Sequence, residues 1–314
     1  MGISVIIPAY NAGALIDEAI DSVLRQQTPA DEVIVINDGS TDRDYSILEK
    51  LHHSIRVINQ PNRGVSAARN AGCDAATQDY IAILDADDVW LPAKLKIQTD
   101  HLQRNPTVDA VFCLGQHWRP QPGESPPIPR EPTFAAQSNF QITHLTYPEL
   151  LCTFAVYPST LVVKKSAWHV IGGYNEKLKY GEDWDFYLRL AHGHKVDRLD
   201  TIAMLYRQHH LSVTATLQVR NYWADTLENA ISTLGSVDQF GNYIDRSKLR
   251  RHLHHLYFMH GHAHFWSGNF RISQNQFTRA AENSPFNLKT CMYLSLSYCP
   301  GIRSLARLLH NQHE

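Results

Sequence analysis

Tyr80-Ile81-Ala82-Ile83-Leu84-Asp85-Ala86-Asp87-Asp88 decides the fold, because an unbroken apolar run long enough for one strand ends abruptly in three carboxylates. A strand without polar alternation is buried on both faces, as in a parallel sheet covered by helices. The carboxylates then stand at its carboxyl end, where such sheets bind ligands. Crowded acids repel and lose hydration, and a divalent cation or solvent relieves both costs. Hard oxygen donors on one turn suit Mg2+ or Mn2+. The competing reading is an acidic cap on the helical pattern that starts near Pro92.

The residues upstream repeat the same unit. Ile3 to Pro8 and Glu32 to Ile36 are short continuous apolar runs, followed by Asn11 with Gly13 and by Asn37-Asp38-Gly39-Ser40. Ile55 to Ile58 makes a third strand. Helical patterns lie between them: about Ala14 to Gln26, a segment ending near Leu51, and Gly64 to Ala76. Strands alternating with helices give a doubly wound α/β unit over the first 90 residues. Tyr10-Asn11, Asn37-Asp38-Gly39 and Asp85 to Asp88 all fall at strand ends, so three distant polar segments converge on one crevice.

Downstream, a helix near Ala93 to Arg104 precedes the strand Ala110 to Leu114, and Arg119 to Pro132 reads as a proline-rich surface loop or lid. Ser159 to Val163 is expected to be a strand. Gly181-Glu182-Asp183-Trp184-Asp185 opens a helix, and acids in a first turn also favour the helix dipole. Val196 to Leu199 and Ile202 to Tyr206 read as two late strands leading to Arg207-Gln208-His209-His210. From about Thr216 helical patterns dominate, broken near Gly235 to Gly241, Gly268-Asn269, Ser284-Pro285 and Pro300-Gly301. The expected organisation is therefore an α/β domain over residues 1–215 and a helical region over 216–314. His260 and His264 have a metal-binding spacing on a helix face. Histidine is simply common nearby, and a structural role is the stronger reading.

Composition narrows the classes. Net charge is −2 over 314 residues, with no long basic run, which argues against a nucleic-acid partner. Five cysteines without a Cys-x-x-Cys pair read as reduced thiols. No stretch approaches the roughly 18 apolar residues of a membrane span, and no leader is evident, so a cytoplasmic location is expected. Arg303 and Arg307 in Ile302 to Leu309 leave peripheral membrane contact open, against the simpler reading of a packed amphipathic helix.

The motifs Ser4-Val5-Ile6-Ile7-Pro8-Ala9-Tyr10-Asn11, Asn37-Asp38-Gly39-Ser40-Thr41-Asp42, Asn62-Arg63-Gly64 with Ala68-Arg69-Asn70, Leu84 to Asp88, and Glu182-Asp183 together resemble the family 2 glycosyltransferases, in order and spacing, over roughly the first 210 residues. The resemblance implies a GT-A fold and an inverting transfer of sugar from a nucleoside diphosphate, with UDP foremost, to an acceptor hydroxyl, assisted by Mn2+ or Mg2+. It places Pro8, Ala9 and Tyr10 against the base and ribose, Asp38 on the base, and Asp85 with Ala86 near the ribose. It puts Asp87 on the cation, with Asp88 as the alternative ligand and His209 close by. Arg63 and Arg69 would face phosphate, although Arg69, within a helical pattern, could equally form a salt bridge, and Asp183 beside Glu182 would be the catalytic base. The family often has two acids at the second turn, and Asn37 replaces the first here, which weakens any choice of nucleotide.

Two other readings compete. A sugar nucleotidyltransferase would want a Gly-rich N-terminal loop that Pro8-Ala9-Tyr10-Asn11 lacks. A non-catalytic nucleotide-sugar binder with a partner-recruiting helical tail would need no base. The acceptor, a glycan or lipid-linked glycan of a cell-surface polysaccharide in relatives of this size, is not legible in these residues.

Overall fold

The computed structural model describes residues 2–52, 54–121, 124–127, 140–153, 156–208, 216–299 and 301. The chain divides into two compact units: Met1–Leu150 with Phe154–His209, and Leu151–Thr153 with His210–Glu314.

The first unit opens with strict alternation of strand and helix: β1 (Ile3–Ala9), α1 (Leu15–Leu24), β2 (Glu32–Asp38), α2 (Ile47–Leu51), β3 (Ile55–Gln60), α3 (Val65–Ala75) and β4 (Tyr80–Ile83). β1 is buried at every position, as a strand covered on both faces must be. These strands pair in parallel in the order β3-β2-β1-β4. The register puts Ala9 beside Asn37 and Asp38 beside Gln60, so β1, β2 and β3 end nearly level, while β4 stops opposite Ile6. α3 comes very close to the sheet at Gly72, where a Cβ would stand 2.3 Å from Ile6 Cγ2 and 3.1 Å from Ile36 Cγ1. Only a residue without a side chain permits that approach.

The rest of the unit is built differently. It comprises β5 (Val89–Trp90), α4 (Lys94–Arg104), β6 (Ala110–Trp118), β7 (Ile142–Leu145), α5 (Tyr147–Leu150), one 3-10 turn (Pro158–Thr160), β8 (Val162–Lys164), α6 (Lys165–Ile171), α7 (Glu182–Gly193) and β9 (Val196–Arg207). The sheet continues β8-β6-β9-β5, with β7 also on β9. Here β8 runs antiparallel to both β4 and β6, β6 and β9 are parallel, and β5 and β7 are antiparallel to β9.

Two local expectations are corrected. The late strands Val196 to Leu199 and Ile202 to Tyr206 are one strand. Its register shifts so that Leu199 faces Cys113, Ile202 faces Leu114 and Met204 faces Gly115. The polar Asp200-Thr201 step is a bulge rather than a break, and Asp200 is held there by Thr143 and Arg198. Ser159 and Thr160 are not strand residues. Pro158 starts a 3-10 turn, and the strand begins only at Val162, which frees both side chains for other contacts.

The second unit is helical: α8 (Tyr222–Leu234), α9 (Arg246–Trp266), α10 (Phe270–Asn283) and α11 (Leu288–Tyr298). Its core gathers Ala224, Tyr257, Phe258, Phe265, Phe270, Phe277 and Ala280. His260 and His264 both direct Nε2 to the Gln218 carbonyl oxygen, at 2.8 and 2.9 Å, so the helix-face pair is structural. No helix among the described residues is long and apolar enough to cross a membrane. Ile302 to Leu309 lies outside the described residues, as does half of the proline-rich loop.

Candidate active site

The site grows from the carboxyl ends of β1, β2 and β4. Tyr10 follows Pro8 and Ala9 and is 56% exposed, with its ring free to meet a planar ligand. Asn11 takes a positive φ of 48°. The strain is offset by hydrogen bonds to the next turn: its N–H donates to Ser40 Oγ at 3.0 Å, and its Oδ1 accepts from the Thr41 N–H at 2.8 Å. The β1 and β2 turns are thus one assembly.

Asp38 is buried. Its Oδ1 accepts from the Gln60 side chain and the Arg63 N–H, and its Oδ2 accepts from the Gly64 N–H at 2.8 Å. The carboxylate therefore fixes the loop that leads into α3, and Oδ2 keeps capacity for one more donor. Arg63 turns its guanidinium to Glu176, at 2.8 Å.

Arg69 forms the salt bridges that are the alternative to a phosphate contact. It is 4% exposed and engages two carboxylates, Nη2 to Asp85 at 2.8 Å and Nη1 to Glu182 at 3.0 Å, with its guanidinium 5.0 Å from the Tyr174 ring centre. A guanidinium so committed is not presented to a phosphate, because its fork already serves two charge-assisted bonds. Instead it ties the acidic turn after β4 to the start of α7. Asn70, the next residue, straps the same region by exchanging hydrogen bonds with the Tyr174 backbone at 2.9 and 2.8 Å.

The three acids after β4 have three environments. Asp85 is partly exposed and paired with Arg69. Asp88 is buried, its Oδ2 accepting from Ser159 Oγ at 2.6 Å and its Oδ1 from the Arg207 N–H at 3.1 Å. Burial, reinforced by Asp87 and Asp85, pushes its carboxyl well above the ordinary aspartate range. Asp88 is thus a brace whose two oxygens are both used inside the protein. Asp87 is half-buried, and its carbonyl oxygen accepts from Arg207 Nε at 2.8 Å. Ala86 is buried between them.

Ser159 and Arg207 carry weight that motif reading missed. The Ser159 hydroxyl also accepts from the Asp85 N–H at 3.0 Å, so one side chain spans the acidic turn. Arg207 is buried, donates to Glu18 at 2.6 Å and lies 4.4 Å over the Trp118 ring. The available signal was an arginine closing the run Ile202 to Tyr206. His209 lies outside the described residues, and among those described no group of three His, Cys, Asp or Glu side chains is gathered for a metal ion.

α7 begins after Gly181, whose φ of 76° gives a left-handed entry, and its first turn holds Glu182, Asp183 and Asp185. Asp185 turns to Arg189 at 2.7 Å, and Trp184 anchors the turn by donating Nε1–H to the Leu150 carbonyl at 2.8 Å. Asp183 Oδ1 accepts from the Trp184 N–H at 2.7 Å. Burial first, then the neighbouring Glu182 charge, push the Asp183 carboxyl up to about 7, against the opposing pull of Arg69 and the Trp184 N–H. Around this acid, Arg69 Nε, Tyr174 Oη and Tyr187 Oη are buried without a hydrogen-bond partner among the described residues. An aspartate that ionises near neutrality, joined through Glu182 and Arg69 to a turn of carboxylates, can accept a proton from a ligand bound between them.

Residues 4–159, about half of the chain, match the family model described as Glycosyl transferase family 2. The chain belongs to that family. Among its relatives, a chondroitin synthase of Pasteurella multocida is 29% identical over 203 residues, covering 64% of this chain and 20% of the synthase. YibD, an uncharacterized glycosyltransferase of Escherichia coli K12, is 28% identical over 252 residues, covering 70% of this chain and 72% of its own. The chain therefore spans one fifth of the length of the synthase it matches. Among solved structures, residues 1–349 of S. aureus TarS align with 100% of this chain and 92% of that one at a TM-score of 0.65 and 16% identity. A TarS structure in complex with UDP-GlcNAc aligns at 0.65 and 17%. At that identity the match establishes the fold, the GT-A α/β sheet with a helical C-terminal region.

Proposed function

We propose that this family 2 glycosyltransferase moves a sugar from a nucleoside-diphosphate donor, a UDP-sugar foremost, to an acceptor hydroxyl with inversion, in the synthesis of a cell-surface polysaccharide. One observation carries the reading: Arg69 bridges Asp85 and Glu182, while the adjoining Asp183 has its carboxyl at about 7. The chondroitin synthase relative and the UDP-GlcNAc complex of TarS support the substrate class.

Asp183 takes the proton of the acceptor hydroxyl as its oxygen bonds to the anomeric carbon, and the bond from that carbon to the diphosphate oxygen breaks on the opposite face. One base suffices, and no second carboxylate need form a glycosyl intermediate. A carboxyl near 7 suits this task at neutral pH better than an ordinary aspartate. Arg69 fixes the distance between base and donor turn by holding Glu182 and Asp85 together. Tyr10 stacks on the base, and the free capacity of Asp38 Oδ2 receives a donor group from it.

With Asp88 consumed by Ser159 and Arg207, Asp87 is the residue of the turn that would hold Mg2+ or Mn2+. This donor set fits, because such ions are commonly held by one or two carboxylates together with substrate phosphates rather than by an all-protein cage. Bound there, the ion would stabilise charge growing on the leaving diphosphate.

The test is incubation with a panel of nucleotide sugars, Mn2+ and glycan acceptors, comparing wild type with Asp183→Asn. Product formation by wild type alone is expected. Equal turnover by both proteins removes the base assignment, and nucleotide-induced thermal stabilisation without transfer by either favours a binding protein.

A further inference from the structure

Lys94 is wholly buried and takes no part in the proposed transfer. It is the first residue of α4, the end of a helix at which the backbone dipole disfavours a cation. The residues beside it, Leu91, Ala93, Ile97, Thr201, Ile202 and Ala203, carry no charge. Among the described residues the one titratable group acting on it is Cys113 on β6, a buried thiol that burial raises to about 11, so it supplies no countercharge at neutral pH. Burial lowers the Lys94 ammonium to about 8, which leaves it a cation at pH 7 and neutral at pH 9. An apolar side chain of similar length would avoid the cost of burying that charge.

The contacts of Lys94 show what the charge does. Its Nζ donates to Gln98 Oε1 at 2.8 Å and stands 3.9 Å from the centre of the Trp90 ring, a desolvated cation on an aromatic face. An ammonium only donates, so it fixes which end of the Gln98 amide turns toward it. The other end, Nε2, is thereby aimed at the carbonyl oxygens of Val111 and Thr160, at 3.0 and 2.8 Å. Trp90 donates Nε1–H to the Ser159 carbonyl at 2.7 Å. Both partners of Lys94 thus grip consecutive carbonyls of the Pro158–Thr160 turn, whose Ser159 hydroxyl spans Asp88 and the Asp85 N–H.

We propose that Lys94, in its charged form, is a positioning residue for the donor site: through Trp90 and Gln98 it sets the Pro158–Thr160 turn against the turn of Asp85 to Asp88. The inference rests on the reading of that acidic turn as the seat of the nucleoside diphosphate. Deprotonation ends the cation–π contact and weakens the bond to Gln98, so the acidic turn loosens as pH rises through about 8. The fold responds in the opposite sense. Between about 8 and the ordinary lysine value the unfolded chain holds the extra proton, so the contribution of this group to stability rises with pH.

Two measurements on the full chain test this without using glycosyl transfer. The 15N-indole resonance of Trp90, assigned by its loss in Trp90→Phe, is expected to shift through one step centred near pH 8 in wild type and to show no step in Lys94→Met. Calorimetry with UDP and Mg2+ is expected to show wild type binding severalfold more tightly than Lys94→Met at pH 7. The ratio of the two affinities, which cancels any effect of pH on the nucleotide itself, should fall toward one by pH 9. In wild type alone the loss of affinity should track the Trp90 step, which keeps the inference testable if Lys94→Met does not fold. A lysine that only fills space would lower the melting temperature on substitution and leave the affinity ratio independent of pH. That result, a Trp90 resonance without a step, or a step with no matching loss of UDP affinity each overturns the inference. Failure of wild type to bind UDP at pH 7 overturns the donor-site reading, and this inference with it.

Discussion

The two halves of the sheet in the first unit are made on different plans. In the parallel half, β3-β2-β1-β4, the turns after the strands' carboxyl ends carry Tyr10, Asp38 and Asp85 at one edge. In the mixed half, β8-β6-β9-β5, strands run both ways and supply Ser159, from the turn before β8, and Arg207, at the end of β9. On the proposed reading the first half would present groups to a ligand and the second would hold them still. Asp88 marks the junction: it belongs to the acidic motif of the parallel half, yet both its oxygens are bound by the mixed half.

The comparison is tested hardest where the two halves meet the base. Asp183→Asn is expected to lower kcat by about a hundredfold to ten-thousandfold, the usual worth of a general base, while leaving the melting temperature within a few degrees. A collapse of Tm instead would make Asp183 a structural acid. Next, Ser159→Ala removes the hydroxyl that spans Asp88 and the Asp85 N–H. Leaving buried polar groups short of a partner costs about 1–3 kcal/mol. Denaturant unfolding should show that loss together with reduced turnover, because the holding half has been loosened under the presenting half.

The pH profile sharpens the same division. Asp183 works as a base only when ionised, and its carboxyl is raised to about 7. The rate kcat/KM should therefore climb with pH and level off above about 7. Removing the Arg69 cation, which opposes that rise, should move the midpoint higher. A flat profile between pH 5 and pH 8 would show that Asp183 does not govern the rate. The smallest effect is expected at the exposed edge of the presenting half. Tyr10→Ala should weaken nucleotide binding by about 1 kcal/mol, the scale of one aromatic contact, as read by calorimetry, with stability unaffected.

The parallel half was legible in the sequence because burial on both faces leaves unbroken apolar runs such as Ser4 to Pro8 and Tyr80 to Leu84. Its strands and helices appear within a few residues of their expected ends. The mixed half was less so. Asp200-Thr201 reads as a strand break because a bulge puts polar residues where alternation fails, and β7 and β5 are too short to leave a period. Of the site, the acids and Tyr10 stand out in the chain as motif residues. The partners that decide their roles do not, since nothing in Arg69 itself says that it is buried between two carboxylates, and Ser159 lies 74 residues from the Asp85 N–H it binds.

Arg207 and Gln208, at the end of β9, are where the polypeptide leaves the first unit. Arg207 holds the Asp87 carbonyl, an Asp88 oxygen and Glu18, and Gln208 donates its N–H to the Trp118 carbonyl at 2.8 Å. The clamp on the acidic turn is thus spliced into the exit from the sheet. A shortened protein meant to isolate the α/β portion must run past Gln208, since a cut a few residues earlier would keep every recognisable motif and still release the turn they depend on.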